Sequence, residues 1–152
     1  MPAVESGLFT VGVFQDVAWA EKGVEALKER GLPAEALTII GKESPELSAL
    51  IERALGGPPQ KIDLRSIGGA LGRGPMVEVL QGSDKGLAQL GIVGTMRRVG
   101  FQAHDGRIFD TLISRGGVMV AIHSAPLAAD CLAVLHSYGG GNAAIGAWSG
   151  RV

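Results

Sequence analysis

The chain has a single cysteine, Cys131, so no disulfide can close within it and no cysteine cluster can hold zinc. Aromatic residues make up only 5% of the 152 residues, which excludes broad stacking platforms. Neither sign of charge dominates: 14 Lys and Arg face 15 Asp and Glu, a formal net charge of −1. A basic footprint for nucleic acid is therefore missing, as is any general attraction to acidic membranes. No uncharged run reaches the roughly 18–20 apolar residues of a membrane helix. The nearest, GLAQLGIVGTM, is short and flanked by Lys85 and Arg97. The opening MPAVESGLFTVGVF lacks the basic start and uninterrupted apolar run of a secretion signal. Together these absences predict a cytoplasmic protein with no nucleic-acid partner and no membrane span.

Glycine is in excess instead, with 24 of 152 residues against a typical share of about 7%. That favours close backbone packing and tight turns. With 46% hydrophobic and 19% charged residues, the chain suits one domain over 1–152 with a real core.

Two segments read as copies of one βαβ unit. Residues 9–42 (FTVGVFQDVAWAEKGVEALKERGLPAEALTIIGK) align without a gap on 117–150 (GVMVAIHSAPLAADCLAVLHSYGGGNAAIGAWSG). Asp16 falls on Ser124, Ala20 on Ala128, Val24 on Leu132, Leu27 on Leu135 and Gly31 on Gly139. In the first copy, LFTVGVF suits a strand with Phe9, Val11 and Val13 on one face. Asp16 caps a helix whose Val17, Ala20, Val24 and Leu27 form a stripe facing a sheet, and Gly31 ends it. In the second, VMVAIHS is a strand, Ser124 the cap, Leu127, Cys131, Leu132, Leu135 and Tyr138 the buried side, and AAIGAW a returning strand. Two such units interleave into a four-stranded antiparallel sheet with both helices on one face. This predicts an α+β, ferredoxin-like split βαβ fold.

Residues 43–116 lie between the copies and read as a helical, Gly-rich insertion. Ser44 and Pro45 start a helix that ends at Gly56. Residues 60–85 carry no clear signal. GLAQLGIVGTMRRVG reads as a glycine-bearing helix and DGRIFDTLISRGG as another. Within the insertion GGALGRGP is neither a Walker A sequence nor G-x-G-x-x-G, and suits a turn or a close contact better than a phosphate cradle.

TVGVFQDVAWAEKGVEALKERG and FDTLISRGGVMVAIHS resemble the heat-induced, general-stress-protein domain family of bacteria. Such domains open with a VGVF strand, an acidic cap and an Ala/Glu-rich helix ending in Gly. Later they place a helix ending in RGG just before a valine-rich strand, here Arg115-Gly116-Gly117 and VMVAIHS. The resemblance covers both ends of the chain. It implies a stress-associated protein and carries over no catalytic residue.

Candidate ligand-binding residues are Gln15 and Asp16 with their counterparts His123 and Ser124, polar pairs at strand ends that could share one crevice. Trp19, Gly23 and Ala26 form a second stripe on the first helix and are the candidate interface, facing the insertion or a second subunit. His104, His123, His136 and Cys131 are the soft metal ligands, but none has the close spacing of a zinc motif. No G-x-S-x-G elbow surrounds any serine. The expectation is a non-enzymatic protein without cofactor or metal, acting through self-association as a homo-oligomer or by docking a protein partner. The alternative is a small-molecule or ion-binding regulatory module with its site at subunit edges.

Overall fold

The computed structural model describes residues 9–99, 101–123 and 133–134. Among them the chain is α+β, as expected, with one five-stranded antiparallel sheet and six α-helices. The strands are β1 (Thr10–Phe14), β2 (Leu37–Lys42), β3 (Gln60–Leu64), β4 (Gly68–Arg73) and β5 (Val118–Ile122). They lie in the order β1-β5-β2-β4-β3. β1 and β2 are joined by helix α1 (Val17–Glu29) and lie on either side of β5. The pairings Thr10↔Ile122 and Leu37↔Ile122 fix the register, and both neighbours run antiparallel to β5.

All five residues of β1 and of β5 are buried, because helices cover the sheet on both faces. Side chains alternate between the two layers, as the period of a strand requires. Val118, Val120 and Ile122 point into one layer with Phe14, Leu37 and Ile39. Met119 and Ala121 point into the other with Phe9, Val11, Val13 and Ile40.

The first layer contains α1 and α2 (Pro45–Leu55), and Val134 joins its core. α1 starts where the Asp16 carboxylate accepts the Trp19 N–H at 2.9 Å, and it buries Ala20, Val24 and Leu27. α2 starts where Ser44 Oγ accepts the Leu47 N–H at 3.0 Å, with Pro45 in its first turn. Leu47, Leu50 and Ile51 of α2 are almost wholly buried. At about 1.5–3 kcal/mol for each such side chain, this burial outweighs the roughly 1 kcal/mol of the cap. α2 is held by packing, and the serine sets where it begins.

The second layer is α3 (Pro75–Gln81), α4 (Gly86–Gln89), α5 (Gly91–Thr95) and α6 (Ala103–Ser114). Met76, Leu80, Leu87, Ile92 and Phe109 fill it, and Phe101 meets Phe109 edge to face at 5.4 Å. α6 starts with a reciprocal cap in which Asp105, buried, accepts the Gln102 N–H at 3.0 Å.

Two expectations are corrected. Segment 43–116 is not purely helical: it contributes the β3–β4 hairpin, which pairs with β2 and enlarges the described sheet to five strands. GGALGR has almost no strand-forming residues, but its pairing on both sides overrides that weak propensity. The glycine-bearing helix over 86–100 is instead α4, α5 and a 3-10 turn at Met96–Val99. The break comes at Gly91, whose φ of 71° is left-handed. The insertion also adds α3–α6 as a layer on the second face of the sheet, which the repeat alone does not require. The expected cap at Ser124, the second-copy helix apart from residues 133–134, and the returning strand AAIGAW lie outside the described residues.

Candidate functional site

The antiparallel register separates the residues expected to share a crevice. Gln15 follows Phe14, which pairs with Val118, whereas His123 follows Ile122, which pairs with Thr10. The two therefore sit at opposite ends of the β1–β5 pair. At about 3.4 Å per residue, the intervening register spans well over 10 Å. Copies related by an antiparallel arrangement place equivalent positions at opposite ends, so aligned sequence does not mean a shared site. Gln15 and Asp16 are exposed, and the Asp16 carboxylate is engaged as the α1 cap. His123 is half-buried: its N–H donates to Ala36 O at 2.8 Å and its ring centroid lies 4.8 Å from that of Phe9. Ser124 lies outside the described residues.

The expected Trp19, Gly23 and Ala26 stripe is also divided. Trp19 is exposed, with Lys22 Nζ 4.9 Å from its ring centroid. Ala26 is half-buried against the α1–α2 core. Gly23 is buried, and a Cβ there would lie 2.7 Å from Phe14 Cε1. Its close approach is thus to the protein's own β1. Among the histidines, His104 is exposed at the start of α6. No group of three potential ligands capable of holding a metal ion occurs among the described residues, and Cys131 and His136 lie outside them.

A cleft of about 550 Å³ opens at the sheet end to which His123 belongs. A 3-10 turn at Ala34–Ala36 leads into β2 on one side of it, and the chain passes from β4 into α3 on the other. Ala34, Leu55 and Pro75 supply apolar surface, while Glu35, Gln60, Arg73 and Glu78 bring polar groups. Arg73 ends β4, where its register partner is Ile39 of β2. Its Nη1 donates to Pro58 O at 3.0 Å. The absence of a side chain at Gly57 lets the guanidinium pack there, since a Cβ would lie 2.6 Å from Nη2. α3 is fixed from below, with the Met76 N–H donating to Thr38 Oγ1 at 2.9 Å.

Charge pairing distinguishes this cleft from two smaller ones. Beside the start of α2, Lys61 pairs with Glu43 at 3.3 Å. Between α1 and α2, Arg53 pairs with Glu21. In the cleft at the sheet end, Arg73 makes no ion pair with Glu35, Glu78 or any other described residue. It holds both signs of charge, uncompensated by each other.

No pattern in the sequence marks these residues as a site. Arg73 is visible only as the charged residue within GGALGRGP, and nothing in the spacing joins it to Glu35 or Gln60. The hairpin pairing brings them together. Comparison of the chain with protein-family models, with curated proteins and with solved structures gives no match. No described helix is long and apolar enough to cross a membrane.

Proposed function

We propose that this protein is a ligand-binding module whose site is the cleft formed by Leu37, Leu55, Gln60, Arg73 and the two glutamates. One observation carries the reading: Arg73 is fixed by Pro58 while its remaining donors make no hydrogen bond among the described residues. A guanidinium offers five donors in a planar fork, so a polar ligand can engage what the fold leaves over. The volume falls in the range of about 300–1,000 Å³ typical of small-molecule sites. This takes up the small-molecule alternative but moves its site away from Gln15, Asp16, His123 and Ser124.

Self-association of a non-enzymatic, stress-associated cytoplasmic protein is the second reading. Its support is the exposed Trp19 and the resemblance carried by RGG and VMVAIHS. A ferredoxin-like unit is likewise proposed, on the flanking of β5 by β1 and β2. It remains a proposal for the fold, extended here by the β3–β4 hairpin.

Thermal unfolding of the full chain against small compounds of anionic, cationic, zwitterionic and neutral classes tests the binding reading. Binding to the native state alone stabilises it, by about 2.7 kcal/mol at a hundred times Kd. A saturable rise in midpoint is expected from at least one class, lost in Arg73→Gln. No rise from any class, or a rise unaffected by Arg73→Gln and by Glu78→Gln, overturns the assignment.

A further inference from the structure

We propose that the cleft takes a zwitterion, an α-amino acid with an aliphatic side chain, whose carboxylate meets Arg73 and whose ammonium meets Glu35 and Glu78. This rests on the binding reading above and names its ligand class.

The charge balance of the lining carries the inference. Arg73 contributes one positive charge and Glu35 and Glu78 two negative ones. A carboxylate drawn to the guanidinium is opposed by the two carboxylates lining the same cleft. A simple anion therefore gains little, and a simple cation meets the opposite conflict at Arg73. A molecule with both charges a few ångströms apart meets a partner for each. The lining groups do not quench one another, since none of the three enters an ion pair among the described residues.

The fold holds the two signs apart. Arg73 is tied to the Gly57–Pro58 turn. Glu35 rides on the 3-10 turn closed by the Ala36 N–H to Pro33 O bond at 3.0 Å. Glu78 rides on α3, whose first turn is bonded to Thr38. Three separately anchored segments thus present the charges, which limits how far they can collapse onto each other. The carboxylate of the ligand can take donors of Arg73 in the fork geometry that suits it. Half-buried Leu55 at the end of α2, with half-buried Ala34 and Pro75, supplies the apolar contact for an aliphatic side chain. The volume exceeds that of one amino acid, so water shares the site.

Isothermal titration with leucine, N-acetyl-leucine and leucinamide tests this, with the full chain. Leucine is expected to bind saturably, with both blocked forms at least ten-fold weaker. Arg73→Gln should weaken leucine at least ten-fold, and Glu78→Gln should narrow the gap between leucine and N-acetyl-leucine. Glu78 is exposed on α3, so that variant keeps the test decisive if Arg73→Gln fails to fold. Equal binding of leucine and N-acetyl-leucine overturns the zwitterion while leaving a binding module. The same holds if leucine fails to bind and another compound class stabilises the protein through Arg73. If no compound of any class binds, both proposals fall.

Discussion

Gly23 of α1 lies directly against the ring of Phe14, with room for hydrogen and none for a methyl group. Phe14 is fully buried at the end of β1. The helix therefore approaches the sheet closely at this point, and the ring takes the volume that a side chain at 23 would need.

Gly23→Ala should accordingly destabilise the protein. Alanine in a helix interior gains about 1 kcal/mol over glycine, whereas overpacking a filled core costs about 1–3 kcal/mol. The ring cannot swing into solvent, so the overpacking term is expected to win. Urea unfolding should show a lower midpoint for Gly23→Ala, and Phe14→Leu should recover part of it in a double-mutant cycle. A more stable Gly23→Ala would mean that α1 shifts outward without cost.

Asp16 is expected to act through its cap rather than through a ligand. Replacing it with alanine removes the acceptor of the Trp19 N–H and should cost about 1 kcal/mol. Asp16→Asn and Asp16→Ser keep an acceptor and should retain most of that stability. Chemical denaturation of the three variants separates this from a role of the negative charge itself, for which asparagine would behave like alanine.

Asp110 gives a pH signature. It sits on α6 with Oδ1 shut off from solvent and without a hydrogen-bond partner among the described residues. Burial pushes its carboxyl above the ordinary aspartate value of 3.8. The folded state then binds the proton more readily than the unfolded one. From 3.8 up to the raised folded value, stability falls as pH rises. Asp110→Asn removes the charge and should raise the urea midpoint at neutral pH. Its advantage should vanish well below the ordinary carboxylate range, at about pH 3. An equal gain at both pH values would assign the effect to something other than ionisation.

The sequence was most legible where a local pattern and its packing agree. Asp16 and Ser44 cap the helices expected of them, and Ala20, Val24 and Leu27 are buried as their spacing requires. Phe9, Val11 and Val13 share a layer, as alternation in LFTVGVF implies. β4 was not legible, because its glycines carry no strand preference and its conformation is imposed by Ile39, Ile40 and Ile62 on neighbouring strands. Gly23 reads as interface in the sequence because a helix stripe shows which face a residue occupies but not how closely that face approaches its neighbour. The cleft is a tertiary product: Glu35, Gln60, Arg73 and Glu78 belong to four segments that only sheet pairing and the α3 contact assemble.

Thr38 links the sheet to that assembly. Its Oγ1 accepts the Met76 N–H at 2.9 Å, and both residues are almost completely buried. Thr38→Val keeps the shape but leaves the N–H at the start of α3 without a partner, at a cost of about 1–3 kcal/mol. Thr38→Ser retains the acceptor and loses one methyl group, about 0.8 kcal/mol. Urea midpoints should therefore rank wild type, serine, then valine, although valine is the closer match in shape. Because α3 loses its tie to β2, the valine change should also speed hydrogen exchange most in Val77–Leu80 and least at distant β1. Valine more stable than serine, with exchange in α3 unchanged, would show that packing alone holds α3 against β2.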